Sequence, residues 1–439
     1  MSNNTNPPSP NNPNASPFGF DTLQVHAGTS PEPNTGARTT PIFQTTAYVF
    51  DDVDHAASLF NLQTFGNIYT RLTNPTTAVL EQKVAALENA RAATAVASGH
   101  AAQLIACHML MNPGDHIVAS RKLYGGSITQ FTHSFKRFDW HATFVDPDDI
   151  AGFAAAITPK TKAIFVESLA NPGGVISDIE ALAKVAHDAG IPLIVDNTMA
   201  TPYLCRPVEW GADIVLHSAT KFLGGHGNSM GGVIVDGGNF NWGQNDKFPH
   251  VAAATPAYHG LNFYETFGDM AFAVACRAVS LRDLGPAISP FNAFMILTGM
   301  ETLSLRMQKH CANGQAVAEF LSKHPKVAWV SYAGLPSDRY HALAKKYLPK
   351  GAGSVFTFGV KGGYAAGTKL VETVKLWSHL ANIGDTRSLI IHPASTTHRQ
   401  LTPEQRAGAG AGDDTIRLSV GIEDVADLIS DLDAGLNAA

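Results

Sequence analysis

A lysine placed between hydroxyl side chains and glycines can hold an aldehyde that carries a phosphate. Lys221 stands in that setting, in Ser218-Ala219-Thr220-Lys221-Phe222-Leu223-Gly224-Gly225-His226-Gly227. Its amine can form a Schiff base, the hydroxyls of Ser218 and Thr220 can bond phosphate oxygens, and the glycines let backbone and ligand approach closely. Read alone, the segment is by default a surface lysine beside a loop.

Other polar residues at the ends of apolar runs turn the reading toward chemistry. Asp196 closes Leu193-Ile194-Val195, where a buried carboxylate needs a partner. A pyridinium N–H is one such partner; an N-cap role is the plainer alternative. Asp196 lies 25 residues before Lys221 (221 − 196), about one strand–helix–strand unit, so the two can occupy neighbouring strand ends. Ser98-Gly99-His100 opens the helical stretch Ala101–Met111, and the backbone N–H groups of Gly99 and His100 there suit an anion. Tyr124 precedes a glycine pair and can stack on a flat ring. Asn171 can donate to a ring oxygen or, as Asn-Pro, simply start a turn. Arg417, in Ile416-Arg417-Leu418-Ser419-Val420, offers a planar fork for a carboxylate. Tyr69-Thr70-Arg71 adds a phenol and a guanidinium for a phosphate, able to serve a neighbouring subunit.

Two histidine- and glycine-rich segments carry less. His392 and His398 have no cysteine or acid at metal-ligand spacing, so no metal site is expected there. Gly224-Gly225-His226-Gly227 lacks the Gly-Lys-Ser/Thr ending of a nucleotide loop.

The elements that must position these groups alternate along the chain. Short apolar runs at 93–97, 116–119, 143–145, 163–166, 192–195, 213–216 and 232–235 are interleaved with helical patterns. Runs that are continuous rather than alternating mark strands buried on both faces, so the spacing predicts an α/β unit with a mostly parallel sheet over about residues 61–290. Asn74-Pro75 opens a helix with cap and first-turn proline. Gly190 closes another, 179–189, at its C-terminal end. Residues 18–60, rich in Thr, Pro and aromatics, read as an extended N-terminal arm. The stretch 237–267, rich in Gly, Asn, Pro and aromatics, reads as an insertion or an active-site loop. From 290 onward one long helix (291–321), strands at 327–332, 354–359 and 415–421 and a final helix from about 423 form a smaller α+β unit ending at 439.

Composition narrows the class. With 439 residues, 45% apolar, two packed units are expected. A net charge of −6 without a basic run argues against nucleic acid. Four scattered cysteines without a CxxC pair fit a reducing compartment. No apolar run is long enough to span a membrane, and residues 1–17, mostly Asn, Pro and Ser, read as a disordered tail rather than a secretory signal. The expected setting is the cytoplasm.

The segments Tyr69-Thr70-Arg71, Ser98-Gly99, Leu123-Tyr124-Gly125-Gly126, Val195-Asp196-Asn197-Thr198, His217-Ser218-Ala219-Thr220-Lys221, His392-Pro393-Ala394-Ser395 and Arg417-Leu418-Ser419-Val420-Gly421 resemble, in order, those of the cysteine/methionine-metabolism family of pyridoxal-phosphate (PLP) enzymes. The resemblance covers nearly all of the chain after residue 18. It implies the PLP-dependent transferase fold (fold type I), with a seven-stranded sheet and a smaller C-terminal domain. It further implies that Lys221 anchors the cofactor, Asp196 pairs with its ring nitrogen and Tyr124 stacks on the ring, these three forming the catalytic set. Gly99, His100, Ser218 and Thr220 would hold the phosphate, completed by Tyr69 and Arg71 of an adjacent subunit. Asn171 would meet the ring hydroxyl, and Arg417, with Asn382, would bind the substrate. The family is typically a homotetramer, a dimer of dimers with shared sites.

Within the family, three features resemble the branch that replaces the acetoxy group of O-acetylhomoserine with sulfide or methanethiol. They are the segment from Trp242 to Phe267, Asn382-Ile383-Gly384-Asp385, and Arg206-Pro207-Val208-Glu209 together with 348–353. Methionine γ-lyases usually carry cysteine where Gly126 stands. Cystathionine γ-synthases commonly carry an arginine near Ile128-Thr129, and a site without that cation suits a neutral acetyl ester better than a succinyl one. Those two chemistries remain the alternatives.

Overall fold

The computed structural model describes residues 17–397, 399–400, 402, 406 and 410–439. Nearly all of the tail read at 1–17, and His398, lie outside the described residues. The seven apolar runs form one sheet in the order β1-β7-β6-β5-β4-β2-β3. The strands are β1 (Ala92–Val96), β2 (His116–Ser120), β3 (His141–Val145), β4 (Thr161–Glu167), β5 (Leu193–Asp196), β6 (Ile214–His217) and β7 (Gly232–Asp236). All neighbouring pairs are parallel except those of β7, which runs antiparallel to both β1 and β6. β2, β4, β6 and β7 are buried along their whole length, the physical reason their sequences are continuous rather than alternating.

A second sheet has five strands, in the order β10-β11-β12-β9-β8. It contains β8 (Val327–Ser331), β9 (Val355–Val360), β10 (Ser378–His379), β11 (Leu389–Ile391) and β12 (Thr415–Ser419). β12 lies antiparallel between β11 and β9, with Arg417 opposite Ile391 and Thr357. The final helix spans Val425–Ala438.

The stretch 18–60 is less extended than its composition suggests. It contains α1 (Phe20–His26) and α2 (Val53–Phe60), the latter capped by Asp52, whose side chain accepts from the His55 N–H. Lys83 fixes α1 by donating to the carbonyls of Gln24 (2.8 Å) and Val25 (3.0 Å), which end that helix. Lys83 belongs to α3 (Pro75–Leu87), where Asn74 caps the Thr76 and Thr77 N–H groups.

The long helix expected over 291–321 is two, Pro290–Met300 and Leu303–Lys323. Arg306, in the second helix, donates to the Gly299 carbonyl of the first (2.7 Å) and to the Phe222 (2.8 Å) and Leu223 (3.1 Å) carbonyls that follow Lys221. Gly299 must be glycine there, because a Cβ would lie 2.0 Å from the Gly224 oxygen. The break therefore buttresses the turn that carries Lys221.

Candidate active site

The carboxyl ends of the parallel strands gather the polar residues, as open α/β sheets require. They line a cavity of about 240 Å³ whose wall includes Gly99, His100, Tyr124, Asn171, Asp196, Ser218, Thr220, Lys221, Asn382 and Arg417. Of the twelve residues picked out in the sequence for a site, ten meet here. Tyr69 and Arg71 do not. Both are exposed, with the Arg71 guanidinium over the Tyr69 ring at 5.3 Å, in a separate depression beside Gln44, Thr46, Gly285 and Pro290.

Helix α4 (Gly99–Leu110) starts on this wall. Ser98 is its N-cap, accepting from the Ala101 N–H at 3.2 Å, so the N–H groups of Gly99 and His100 keep no partner within the helix. Gly99 packs so tightly on Ser218 that a Cβ would come within 2.7 Å of the Ser218 Cβ. The helix start and the segment leading to Lys221 thereby form one anion-binding corner. The Thr220 hydroxyl is already engaged with Gly231, bonding both its carbonyl and its N–H at 3.1 Å. It shapes the corner while committed to backbone.

Lys221 Nζ donates to Asn382 Oδ1 at 2.5 Å. Burial, with the charge of Arg417 nearby, lowers the Lys221 ammonium below the usual lysine range. Arg417 is held at both ends of its fork, by Asn171 Oδ1 (3.3 Å) and the Asn382 carbonyl (3.1 Å), while its Nε is buried without a partner. Burial pulls this guanidinium down to about 10. Tyr124 stacks on His100 with ring centroids 5.7 Å apart and planes inclined by 28°. Tyr124 as a whole is 49% exposed.

Two carboxylates share the floor. Asp196 accepts from the Thr198 N–H at 2.9 Å. Glu167, its register partner on β4, accepts from the N–H groups of Tyr124 (2.5 Å) and Asn171 (3.1 Å). Burial raises both groups, and for Glu167 the charge of Asp196 adds to it. Among the described residues neither forms an ion pair with lysine or arginine. A planar group with a protonated ring nitrogen would supply the missing cation to this floor. The amide nitrogen of Gln103, buried on the same wall, also has no partner.

Sequence reasoning passed over Glu167, Gln103, Ser127 and Met230, all of which line the cavity. Glu167 carried the same signal as Asp196, an acid closing a buried apolar strand. The others stand on a helix or in loops, where their residue types are unremarked. The stretch 237–267 contributes nothing to this wall. Its aromatics pack inward instead, Trp242 stacking on Phe272 at 5.0 Å and meeting Phe240 and Phe248 edge-on.

Comparison with known proteins agrees with this arrangement. A family model described as Cys/Met metabolism PLP-dependent enzyme matches residues 21–437. The O-acetyl-L-homoserine sulfhydrylase of Leptospira meyeri is 51% identical over 428 residues, covering 95% of this chain and 97% of that protein. The homocysteine synthase of Schizosaccharomyces pombe is 50% identical over 422 residues, with 96% and 98% covered. A crystal structure of a putative O-acetylhomoserine (thiol)-lyase from Campylobacter jejuni, containing a pyridoxyl-lysine monophosphate, superimposes with a TM-score of 0.93 at 41% identity. It covers 96% of this chain and all of that one.

Proposed function

We propose that this chain, which belongs to the Cys/Met metabolism family of PLP-dependent enzymes, replaces the acetoxy group of O-acetyl-L-homoserine with sulfide. The products are L-homocysteine and acetate, and methanethiol in place of sulfide would give methionine. The residues present fit the cofactor. Lys221 would bind its aldehyde carbon, and Gly99, His100 and Ser218 its phosphate, with Thr220 shaping that corner. Asp196 would meet the ring nitrogen, Tyr124 the ring face and Asn171 the ring hydroxyl. When bound, PLP supplies a sink for the electron pair left at the substrate α carbon.

The chain's own groups do the rest. Arg417 holds the substrate carboxylate with its fork and its unpartnered Nε. Lys221, with its ammonium destabilised by burial, takes the α proton as an amine and would carry protons to and from the substrate's α and β carbons. Asn382 holds Lys221 Nζ within reach of that position. A β proton leaves, acetate departs from the γ carbon, sulfide adds there, and protons return to the β and α carbons of the product. Asp196 stays anionic beside the ring nitrogen, while Glu167 keeps Tyr124 and Asn171 in place.

The observation that carries the choice of an acetyl ester is the cavity wall. Among the described residues Arg417 is its one guanidinium and Lys221 its one ammonium. A second substrate carboxylate, as in a succinyl ester, would meet no further side-chain cation of this chain there, and the Arg71 that a second copy would bring is committed to the cofactor phosphate. The purified protein should release homocysteine from O-acetylhomoserine only when sulfide is added. Release of 2-oxobutyrate from methionine alone, or preference for the succinyl ester, would overturn the reading.

Tyr69 and Arg71 act in the cavity of a second copy, in a homotetramer built of two such dimers. What supports this is their place outside their own cavity, beside a run of uncovered apolar side chains. Val49 is 96% exposed, Val53 84% and Phe65 71%, apolar side chains that a second copy would cover. β1–β7, the corner around Gly99 and most of the cavity wall fall within 61–290, the cofactor-binding domain, while Ala381, Asn382, Ile383 and Arg417 reach the wall from the smaller domain, 291–439. No helix among the described residues is long and apolar enough to cross a membrane, and all four cysteines are free and buried, which supports a cytoplasmic setting.

A further inference from the structure

Two residues of the sequence motifs have no part in the chemistry above: Asn197, next to Asp196, and His217, next to Ser218. Both turn away from the cavity and converge on Glu88, the C-cap residue of α3. Glu88 Oε1 is 2.6 Å from His217 Nε2 and accepts from Asn197 Nδ2 at 2.8 Å. Asn197 Nδ2 also donates to the Cys205 carbonyl (2.9 Å), and its Oδ1 accepts from the Ser168 hydroxyl at 2.7 Å. Glu88, Asn197 and His217 are fully buried, and Ser168 is 1% exposed.

The position of each member gives the network its meaning. Ser168 follows Glu167 at the end of β4, Asn197 follows Asp196 at the end of β5, and His217 ends β6. Every strand end that presents a charged group to the cavity floor therefore has its next or last residue tied, directly or through Asn197, to a single carboxylate. That is a costly way merely to fill space. Glu88 Oε2 and His217 Nδ1 are buried with no partner, and an apolar group of the same shape would remove both losses.

We infer that Glu88 is a positioning residue for the cofactor, setting the spacing of Glu167, Asp196 and Lys221 by holding the ends of β4, β5 and β6 in mutual register. It touches neither substrate nor cofactor. The inference rests on the cofactor site described above and adds an anchor behind it. Displacements of about an ångström behind a site can cost up to roughly 10²-fold.

The test is titration of cofactor-free full-length protein with pyridoxal phosphate, recording affinity, visible absorbance band and melting temperature. Glu88→Ala should weaken pyridoxal-phosphate affinity by roughly 10- to 100-fold and shift or broaden the band. Glu88→Gln, which keeps an oxygen for both donors, should recover most of the loss. Ser168→Ala, which removes one hydroxyl and leaves the core filled, should change affinity several-fold in the same direction and remains informative if Glu88→Ala does not fold. Wild-type affinity and band in Ser168→Ala, or in a Glu88→Ala protein that only melts earlier, would overturn the inference. Failure of the wild-type protein to bind pyridoxal phosphate would instead overturn the reading of the site itself.

Discussion

Glu167 and Asp196 are register partners on adjacent parallel strands, so their carboxylates leave the sheet on one face at the floor of one cavity. Glu167 spends its oxygens on the Tyr124 and Asn171 N–H groups, and Asp196 spends one of its own on Thr198. Two buried acids this close cannot both ionise cheaply, and the pair retains a proton that isolated carboxyls would have lost.

That proton makes stability depend on pH. Burial and the Asp196 charge raise Glu167 from 4.5 to about 8. A carboxyl raised in the folded state contributes its full stability below its unfolded value and loses it as pH rises through the folded value. The melting temperature of the cofactor-free protein should therefore fall as the pH rises from about 4.5 to 8, beyond what the rest of the chain causes. Glu167→Gln should flatten that slope, and so should pyridoxal phosphate, whose ring cation would compensate Asp196. An unchanged slope in Glu167→Gln would show that the proton resides elsewhere.

Arg417 should separate substrate binding from cofactor binding. Arg417→Lys keeps the charge and loses the two-point fork. kcat/KM for O-acetylhomoserine should drop by roughly 10- to 100-fold, mainly through KM, a loss of about 1.4–2.7 kcal/mol, as expected when the charge stays but the two-point fork is lost. Pyridoxal-phosphate affinity should stay near wild type. If cofactor affinity falls as far as kcat/KM, Arg417 belongs to the cofactor site instead.

Sharing of sites between copies can be tested by complementation. Arg71→Ala and Lys221→Ala should each be nearly inactive alone. Co-expressed in equal amounts, half of the dimers are hybrids, and each hybrid rebuilds one intact site when Arg71 acts across the interface. Activity should recover to about a quarter of wild type. If Arg71 serves its own chain, every hybrid site keeps one defect and no recovery occurs.

How much of this was legible follows from what each signal depends on. Six strands of the main sheet were readable because burial leaves a continuous apolar run, while β3, an edge strand of alternating exposure, showed only the short run 143–145; acids or hydroxyls at the ends of such runs stand out. Glu167 showed this mark as plainly as Asp196, yet only Asp196 was tied to a known motif. The division of the helix over 291–321 was not legible. Its cause is the approach of Gly299 to Gly224 and of Arg306 to the Phe222 carbonyl, contacts between distant parts of the chain. β10 and β11, of two and three residues, are too short for any period to register. Glu88 and His217 lie 129 residues apart, and neither spacing nor composition links them.

Gly99 offers the sharpest steric test of the anion-binding corner. It is the first residue of α4, in a backbone conformation open to any residue, so alanine there meets no dihedral strain and gains helix propensity. What alanine meets is Ser218: a Cβ would lie 2.7 Å from the Ser218 Cβ and 3.1 Å from its Cα. Neither atom is the far end of a flexible side chain, so the segment carrying Ser218, Thr220 and Lys221 must move away from the helix start. The N–H groups of Gly99 and His100 would then no longer share a phosphate with Ser218. Gly99→Ala should lower pyridoxal-phosphate affinity by about tenfold or more, an opening comparable to other displaced contacts. Pyridoxal lacking the phosphate, present with no inorganic phosphate, should bind almost as well as to wild type. Equal loss for both ligands would mean that the displaced segment acts through Lys221 rather than through the phosphate, and titration of the two aldehydes side by side distinguishes these outcomes.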